Sequence, residues 1–327
     1  DWMMASGQWT RVRRRKAAPK RRERRAHFGE LVQLDGSFHD WYEGRGTRTG
    51  RRSCMMNMVD DATGRTLVRF GEQETIWAAA AILQAWIGKH GVPRALYTDW
   101  KNVYKREPTA REEREGTEPH THFGRMCWKL GIEIIAANTP QAKGRVERSN
   151  GVQQDRLIKK MRLLGIADDA SANAYVQSVY LADLNARFTV APARRADYHL
   201  PRDPKLADRD VFCLDHTRSV GNDFVVQFGR RALQLSSSAR GRVPAGSKLT
   251  VRESRDGEVR LIFTSRRTGE REYAWTNAAG ARPAPAHSSA IPGMSLRPRV
   301  KPGPNHPFRR AGALGVAAAA IARAGGP

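Results

Sequence analysis

The chain has 327 residues, with 57 lysines and arginines against 33 aspartates and glutamates, a formal net charge of +24 and a sequence pI of about 10.9. A charge this large favours polyanionic partners, and such a basic pI is typical of nucleic-acid-binding proteins. The three cysteines (Cys54, Cys127 and Cys213) are far apart and form no C-x-x-C pair, which argues against a disulfide framework or a zinc ribbon and predicts a protein of the reducing cytoplasm. No apolar run reaches the roughly 18 residues that a membrane span requires.

The first 28 residues are basic and poor in apolar side chains. Residues 1–25 contain ten lysines and arginines against two acids, and residues 10–28 have too few apolar side chains to pack, so they are predicted to form a linker. The stretch "WMMASG" is typical of the last turn of a helix that ends at Gly7. Since the chain also lacks an initiating methionine, we interpret residues 1–28 as the end of a missing upstream domain and a basic linker.

Residues 29–190 alternate between strand and helix patterns. "ELVQLDGSF" predicts a strand ending at Asp35, "SCMMNMVDDATGRTLVRF" a hairpin and "ETIWAAAAILQAWIGKHG" a helix. "RALYTDW" predicts a strand ending at Asp99, and the charged residues 101–119 a mobile loop. "THFGRMCWKLG" predicts a helix, "IEIIAA" a strand, and "AKGRVERSNGVQQDRLIKKMRLLG" a long helix followed by another at about 169–188. This order predicts an α/β fold: a mixed sheet with flanking helices.

The last third of the chain changes character. Residues 191–207 form a proline-containing linker, and residues 208–276 contain short strand patterns with turns about every ten residues, which predict a small all-β barrel or sandwich domain. Residues 277–327 contain seven lysines and arginines, no acid and many alanines and prolines. This composition predicts a disordered basic tail.

Three acids stand out as candidates for catalysis. Asp35 and Asp99 each follow an apolar strand, at the edge where open α/β sheets bind ligands, and Glu147 lies in the first turns of the long helix. The alternative for each aspartate is an ordinary capping role. Neighbouring carboxylates repel unless a cation shares them, and Mg²⁺ prefers such oxygen ligands. Two such ions would clamp the attacking and leaving oxygens of a phosphodiester.

Basic residues surround Glu147 in "QAKGRVERSNG". Lys143, Glu147 and Asn150 recur at helical spacing and share one polar face, where the cations would meet DNA phosphates. The alternative is a solvated ion pair between Lys143 and Glu147. The predicted DNA contacts are Lys143, Arg145, Arg148 and Asn150 in the helix and Arg13, Arg14, Arg15 and Lys16 in the linker.

Other polar and aromatic residues have simpler interpretations. Asp60 and Asp61 are predicted to serve a hairpin turn, and Trp77 and Trp86 are predicted to lie in the core. His120 and His122 resemble a metal-binding pair, but no third ligand is near in sequence.

The stretches "LVQLDGSFHDW", "VDDATGR", "ALYTDWKNVY" and "TPQAKGRVERSNGVQQDRL" resemble bacterial insertion-sequence transposases with a retroviral-integrase-type core, the ISNCY-like group. The resemblance covers about residues 1–275. It implies a ribonuclease-H-like catalytic core in residues 29–190, with a D-D-E metal triad at Asp35, Asp99 and Glu147, an upstream helix-turn-helix domain and a small β-barrel after the core. Glu147 follows Asp99 by 48 positions, which is more than in retroviral integrases, and Trp100 with Lys101 departs from the pattern beside Asp99.

The resemblance implies a DNA transposase that cuts at element ends and joins the freed 3′-hydroxyl to target DNA. It implies two Mg²⁺ ions (Mn²⁺ in vitro), double-stranded DNA as substrate, a homo-oligomer that bridges two DNA ends, no membrane, and location with the bacterial nucleoid in the cytoplasm. Two alternatives stay open: a nuclease of the same fold that cleaves without joining, and a non-catalytic DNA-binding protein with a decayed core.

Overall fold

The computed structural model describes residue 6 and residues 22–45, 53–99, 103–104, 106–116, 119–137 and 143–278. The predicted DNA contacts Arg13 to Lys16 and almost all of the predicted tail lie outside these residues. The chain divides into two compact units, residues 1–218 with 248–274 and residues 219–247 with 275–327.

A five-stranded mixed sheet forms the centre of the first unit, with the strand order β3-β2-β1-β4-β5. The strands are β1 (Val32–His39), β2 (Ser53–Asp60), β3 (Thr66–Gly71), β4 (Ala95–Thr98) and β5 (Glu133–Ala136). The first three strands are antiparallel neighbours, whereas β4 runs parallel to β1 and β5 parallel to β4. The predicted mixed sheet is thereby confirmed.

The hairpin between β2 and β3 also agrees with its prediction. Every residue of β2 is buried, as its run of methionines indicates. Asp60 ends this strand, and its Oδ1 accepts hydrogen bonds from the backbone N–H and the hydroxyl of Thr63, both at 2.7 Å. The turn role predicted for Asp60 is confirmed.

The prediction that the first strand ends at Asp35 is wrong. β1 continues to His39, and Asp35 lies in its middle, opposite Asn57 of β2. Pairing with β2 supplies backbone partners for residues 36–39, so the glycine at position 36 does not stop the strand. The acid is therefore placed by a strand interior and has little freedom to move.

Helices cover the sheet. They are α1 (Ile76–His90), α2 (Ala110–Glu115), α3 (His122–Lys129), α4 (Gly144–Leu163), α5 (Asp169–Tyr175) and α6 (Leu181–Phe188), with a π-helical turn at Val176–Tyr180 joining the last two. The prediction of an unstructured loop over 101–119 missed α2. There Thr109 and Glu112 form a capping box, which lets six mostly charged residues hold a helix.

The core lies between the sheet and these helices. Trp86 of α1, Phe123 of α3 and Leu157 of α4 are fully buried in it. Trp77 is partly buried against the same cluster. The core role predicted for Trp86 is confirmed. Within the described part of the chain, no helix has the length and apolar character needed to cross a membrane.

His90, at the end of α1, makes the stability of this core depend on pH. Burial, followed by the nearby charges of Arg65, His199 and Lys89, lowers the pKa of its imidazole from 6.5 to about 4. The unfolded chain therefore takes up this proton first, and the free energy of unfolding falls as the pH drops from about 6.5 towards 4. In thermal melts at about pH 7 and pH 5, the wild type should lose more melting temperature than His90→Gln. Equal losses in the two proteins would contradict this assignment.

Strands dominate the described residues from 208 to 278. The first unit contains the short helix α7 (Asp208–Val211) and a sheet of β6 (Leu214–Ser219), β9 (Lys248–Glu253), β10 (Val259–Ser265) and β11 (Gly269–Tyr273). The second unit contains a sheet of β7 (Val225–Phe228), β8 (Arg231–Leu235) and β12 (Trp275–Asn277) with the short helix α8 (Ser237–Arg240). The strand-rich character is as predicted, whereas a closed barrel is not confirmed, because these strands form two sheets.

Candidate active site

Asp35 and Asp99 meet because two parallel strands carry them in register. β1 and β4 pair Val32 with Leu96 and Gln33 with Tyr97. The same register, continued by two residues, brings Asp35 beside Asp99, which directly follows β4. The structure therefore places the two predicted acids side by side, although Asp35 lies inside β1 and not at its end.

The cation between them is Lys143, the residue that directly precedes α4. Its Nζ lies 2.9 Å from Oδ1 of Asp35 and 2.5 Å from Oδ1 of Asp99. Its side chain is only 4% exposed. Lys143 was predicted to contact DNA phosphates, but here it is enclosed by the two carboxylates.

Two buried amides, one on α4 and one on β1, fix this arrangement. Asn150 of α4 donates from Nδ2 to Oδ2 of Asp35 at 2.9 Å and accepts from Asn57 of β2 at 2.8 Å. Gln33 of β1 accepts a 3.0 Å hydrogen bond from the backbone N–H of Val146, in the first turn of α4. The start of α4 is thus tied to β1, and one carboxylate oxygen of Asp35 is oriented by an amide.

Glu147 lies one helical turn after Lys143, and its side chain is exposed. Within the described residues, no three histidine, cysteine, aspartate or glutamate side chains are grouped so that they could hold a metal ion. The structure thus brings two of the three predicted acids together, and the third stands on the adjoining first turn of α4. Arg148, beside it, is also exposed.

Asp61 is the buried centre of an ion-pair cluster that includes Arg145. Asp61 is completely buried and accepts hydrogen bonds from Arg145 Nη1 at 2.9 Å, from Gln33 Nε2 at 2.8 Å and from the backbone N–H of Arg25 at 2.8 Å. Arg22 also pairs with it. Asp61 was predicted to serve a turn, but it joins the end of the linker, β1 and α4.

Sequence reasoning missed an acid–tyrosine pair near Asp35. The hydroxyl of Tyr104 donates to Oε1 of Glu74 at 2.9 Å. Burial, then the charge and hydrogen bond of Glu74 and the charge of Asp35, raise the pKa of Tyr104 well above its usual value, so the hydroxyl stays a donor. Asn57 and Gln33 were also missed. The available signal was a polar residue inside an otherwise apolar strand.

Fold and site together define a mixed α/β protein with a carboxylate pair on two neighbouring parallel strands and a buried lysine between the two carboxylates. No family model matches the chain. It is 36% identical over 263 residues to transposase y4bF of Sinorhizobium fredii, covering 79% of this chain and 55% of that protein. It is 33% identical over 169 residues to the transposase for insertion sequence IS1202 of Streptococcus pneumoniae, covering 51% and 34%. The resemblance to insertion-sequence transposases is thus confirmed. The chain spans about half the length of the first of these relatives and about a third of the second.

Solved structures with similar backbones include the simian T-cell lymphotropic virus intasome in complex with PP2A regulatory subunit B56 gamma. Its TM-score is 0.39 at 16% identity, covering 80% of this chain and 84% of that one. The catalytic core domain of BIV integrase gives a TM-score of 0.33 at 21% identity, covering 48% and 84%. At these values the two structures contribute no evidence about function.

Proposed function

We propose that this chain is the catalytic part of a DNA transposase, which cleaves at the ends of its element and transfers the freed 3′-hydroxyl into target DNA. The observation that carries the proposal is the pairing of Asp35 and Asp99 on adjacent parallel strands, in a chain 36% identical to a transposase. The proposed domains are a core in residues 29–190, a linker in 191–207 and a β-barrel domain in 208–276. The strand order β3-β2-β1-β4-β5 supports a ribonuclease-H-like core.

The donor atoms at the site suit a divalent metal. Two carboxylates already converge on one cation, Lys143, and oxygen ligands of this kind are those that Mg²⁺ prefers. In this proposal Asp35, Asp99 and Glu147 would hold two Mg²⁺ ions. When bound, they would supply charge stabilisation and a more acidic nucleophile for phosphoryl transfer.

Other side chains would position the three acids or bind the DNA phosphates. Asn150 orients Asp35, and Gln33 holds the first turn of α4, which carries Glu147. Arg148 is exposed beside Glu147 and is proposed to bind a DNA phosphate, as are Arg13 to Lys16 in the linker.

Two successive displacements at phosphorus make up the proposed reaction. In the first, water forms a new P–O bond at the end of the element, and the bond to the 3′-oxygen breaks, which frees a 3′-hydroxyl. In the second, that hydroxyl attacks the phosphorus of a target phosphodiester, and the 3′-oxygen of the target strand leaves. No covalent bond to the protein forms, so catalysis is positioning and charge stabilisation. A homo-oligomer would bridge the two ends.

The test is a joining reaction with short blunt duplexes that carry the element's ends, supercoiled plasmid and Mn²⁺. The proposal expects plasmid covalently joined to duplex. Nicked plasmid without joined product would favour the nuclease alternative. DNA binding with no reaction would favour a DNA-binding protein with a decayed core.

Asn150→Ala should lower the rate of joining by about 10- to 100-fold, the usual range for a side chain that orients a metal ligand. The variant frees one oxygen of Asp35 from its amide donor but leaves the carboxylates in place. Gln154→Ala is the matched control, because Gln154 lies about one turn further along α4 and bonds Ser37 instead. Equal rates for the two variants would remove the positioning role of Asn150.

A further inference from the structure

Lys143 is a buried lysine whose ammonium is shared by two carboxylates. Its Nζ faces Oδ1 of both Asp35 and Asp99, and the residue is 3% exposed. Such an enclosure is unusual for a lysine, since its ammonium is strongly hydrated and sits on a long flexible stem. Enclosure is tolerable only because opposite charges and hydrogen bonds replace the water.

The carboxylates need a cation as much as the lysine needs them. Asp35 and Asp99 stand beside each other in the register of β1 and β4, and two adjacent carboxylates repel when nothing positive lies between them. Glu147, the third acid of the predicted triad, is exposed one turn along α4 and does not take part in this contact. Lys143 therefore supplies the charge that lets the first two acids stand together.

We propose that Lys143 is a built-in counter-cation, which holds Asp35 and Asp99 together in the metal-free protein and must be displaced for a divalent cation to bind there. This rests on the proposed function, because it takes the two aspartates as metal ligands. A divalent ion would be held by oxygen atoms of the same two carboxylates, since Mg²⁺ prefers ligands of this kind. Two cations cannot share these atoms closely without strong repulsion.

The position of Lys143 in the chain suits such an exchange. Its backbone stands just outside the regular helix, at φ −101° and ψ 10°, and no side-chain hydrogen bond caps α4 at this residue. The first turn of α4 is held instead by Gln33. Withdrawal of the lysine side chain therefore leaves the anchor of the helix intact. Once withdrawn, the ammonium is available to pair with a DNA phosphate.

Binding of Mn²⁺ to the metal-free full chain, without DNA, tests the exchange. Free Mn²⁺ is measured by electron paramagnetic resonance for the wild type, for Lys143→Met and for the control Lys159→Met. Lys159 lies on the same helix and pairs with Asp155 at 2.5 Å, but both side chains are more than half exposed. Lys143→Met should bind Mn²⁺ about tenfold more tightly than the wild type because its competitor is gone, and Lys159→Met should not differ.

Thermal melting gives a second readout. In EDTA, Lys143→Met should melt below the wild type, because the two adjacent carboxylates lose the cation that lies between them. Saturating Mn²⁺ should raise its melting temperature by more than it raises that of the wild type. Lys143→Gln provides the same comparisons should the methionine variant fail to fold.

Asp99→Asn separates this inference from the metal site itself. If Asp99→Asn loses Mn²⁺ binding while the Lys143 variants bind no more tightly than the wild type, the exchange is overturned and the metal site stands. If Asp99→Asn binds Mn²⁺ as the wild type does, the ion is not at this pair, and both ideas fall.

Discussion

Asp99→Asn should abolish strand joining and leave DNA binding within about twofold of the wild type. Asparagine keeps the shape of the side chain but removes the charge that faces Lys143 at 2.5 Å and, in the proposed reaction, the metal. Losing one charged ligand is expected to cost about 4 kcal/mol of transition-state stabilisation, which corresponds to roughly a thousandfold in rate. The joining reaction with plasmid and blunt duplex measures this, beside a binding assay on the same duplex.

Asp155→Asn is the matched control for this substitution. Asp155 lies on α4, 64% exposed, and pairs only with Lys159 among the ion pairs seen for it, so its charge is far less consequential. It should join DNA at the rate of the wild type. Joining by Asp99→Asn at a rate close to the wild type would instead remove Asp99 from the catalytic residues and with it the proposed site.

The elements that the sequence predicted well are those whose patterns are local. The buried run of β2, the helix α1 with its Gly91 stop and the strand that ends before Asp99 each follow from periodicity and turn residues. These same patterns assigned one acid to each of two strands. The strand order that brings them into one register is a long-range property, and it became expected only through the resemblance to transposases.

The residues whose surroundings the sequence did not predict have contacts with residues far along the chain. Asp35 was taken as a strand end, but pairing with β2 carries β1 four residues further. Lys143 was predicted to contact DNA phosphates, because helical spacing cannot reveal that two carboxylates from distant strands enclose it. Asn150 likewise was predicted to face DNA and instead orients Asp35. The chemistry of each residue was readable, but its partner was not.

The largest expected effect on stability comes from Asp61. Asp61→Ala should lower the free energy of unfolding by about 3–5 kcal/mol, the usual cost of removing one partner from a buried ion pair. Asp61 is fully buried, and its loss leaves Arg145 and Gln33 without their shared acceptor. Burial already lowers the pKa of the Arg145 guanidinium, so this cation depends on its carboxylate. Urea unfolding of the two proteins measures the difference.

A double variant decides whether the loss is one of charge or of packing. If the uncompensated charge of Arg145 is the main cost, Asp61→Leu with Arg145→Met should recover much of the stability that Asp61→Leu alone loses, because apolar groups of similar size replace both charges. A double variant no more stable than Asp61→Leu would show that the cost lies elsewhere, in Arg22 or in Gln33. A cost at Gln33 would also affect the proposed active site, because Gln33 contacts both Asp61 and the first turn of α4, where Glu147 lies. The rate of joining and the free energy of unfolding should then be measured on the same double variant. A loss of joining without a matching loss of stability would show that Asp61 couples the end of the linker to α4.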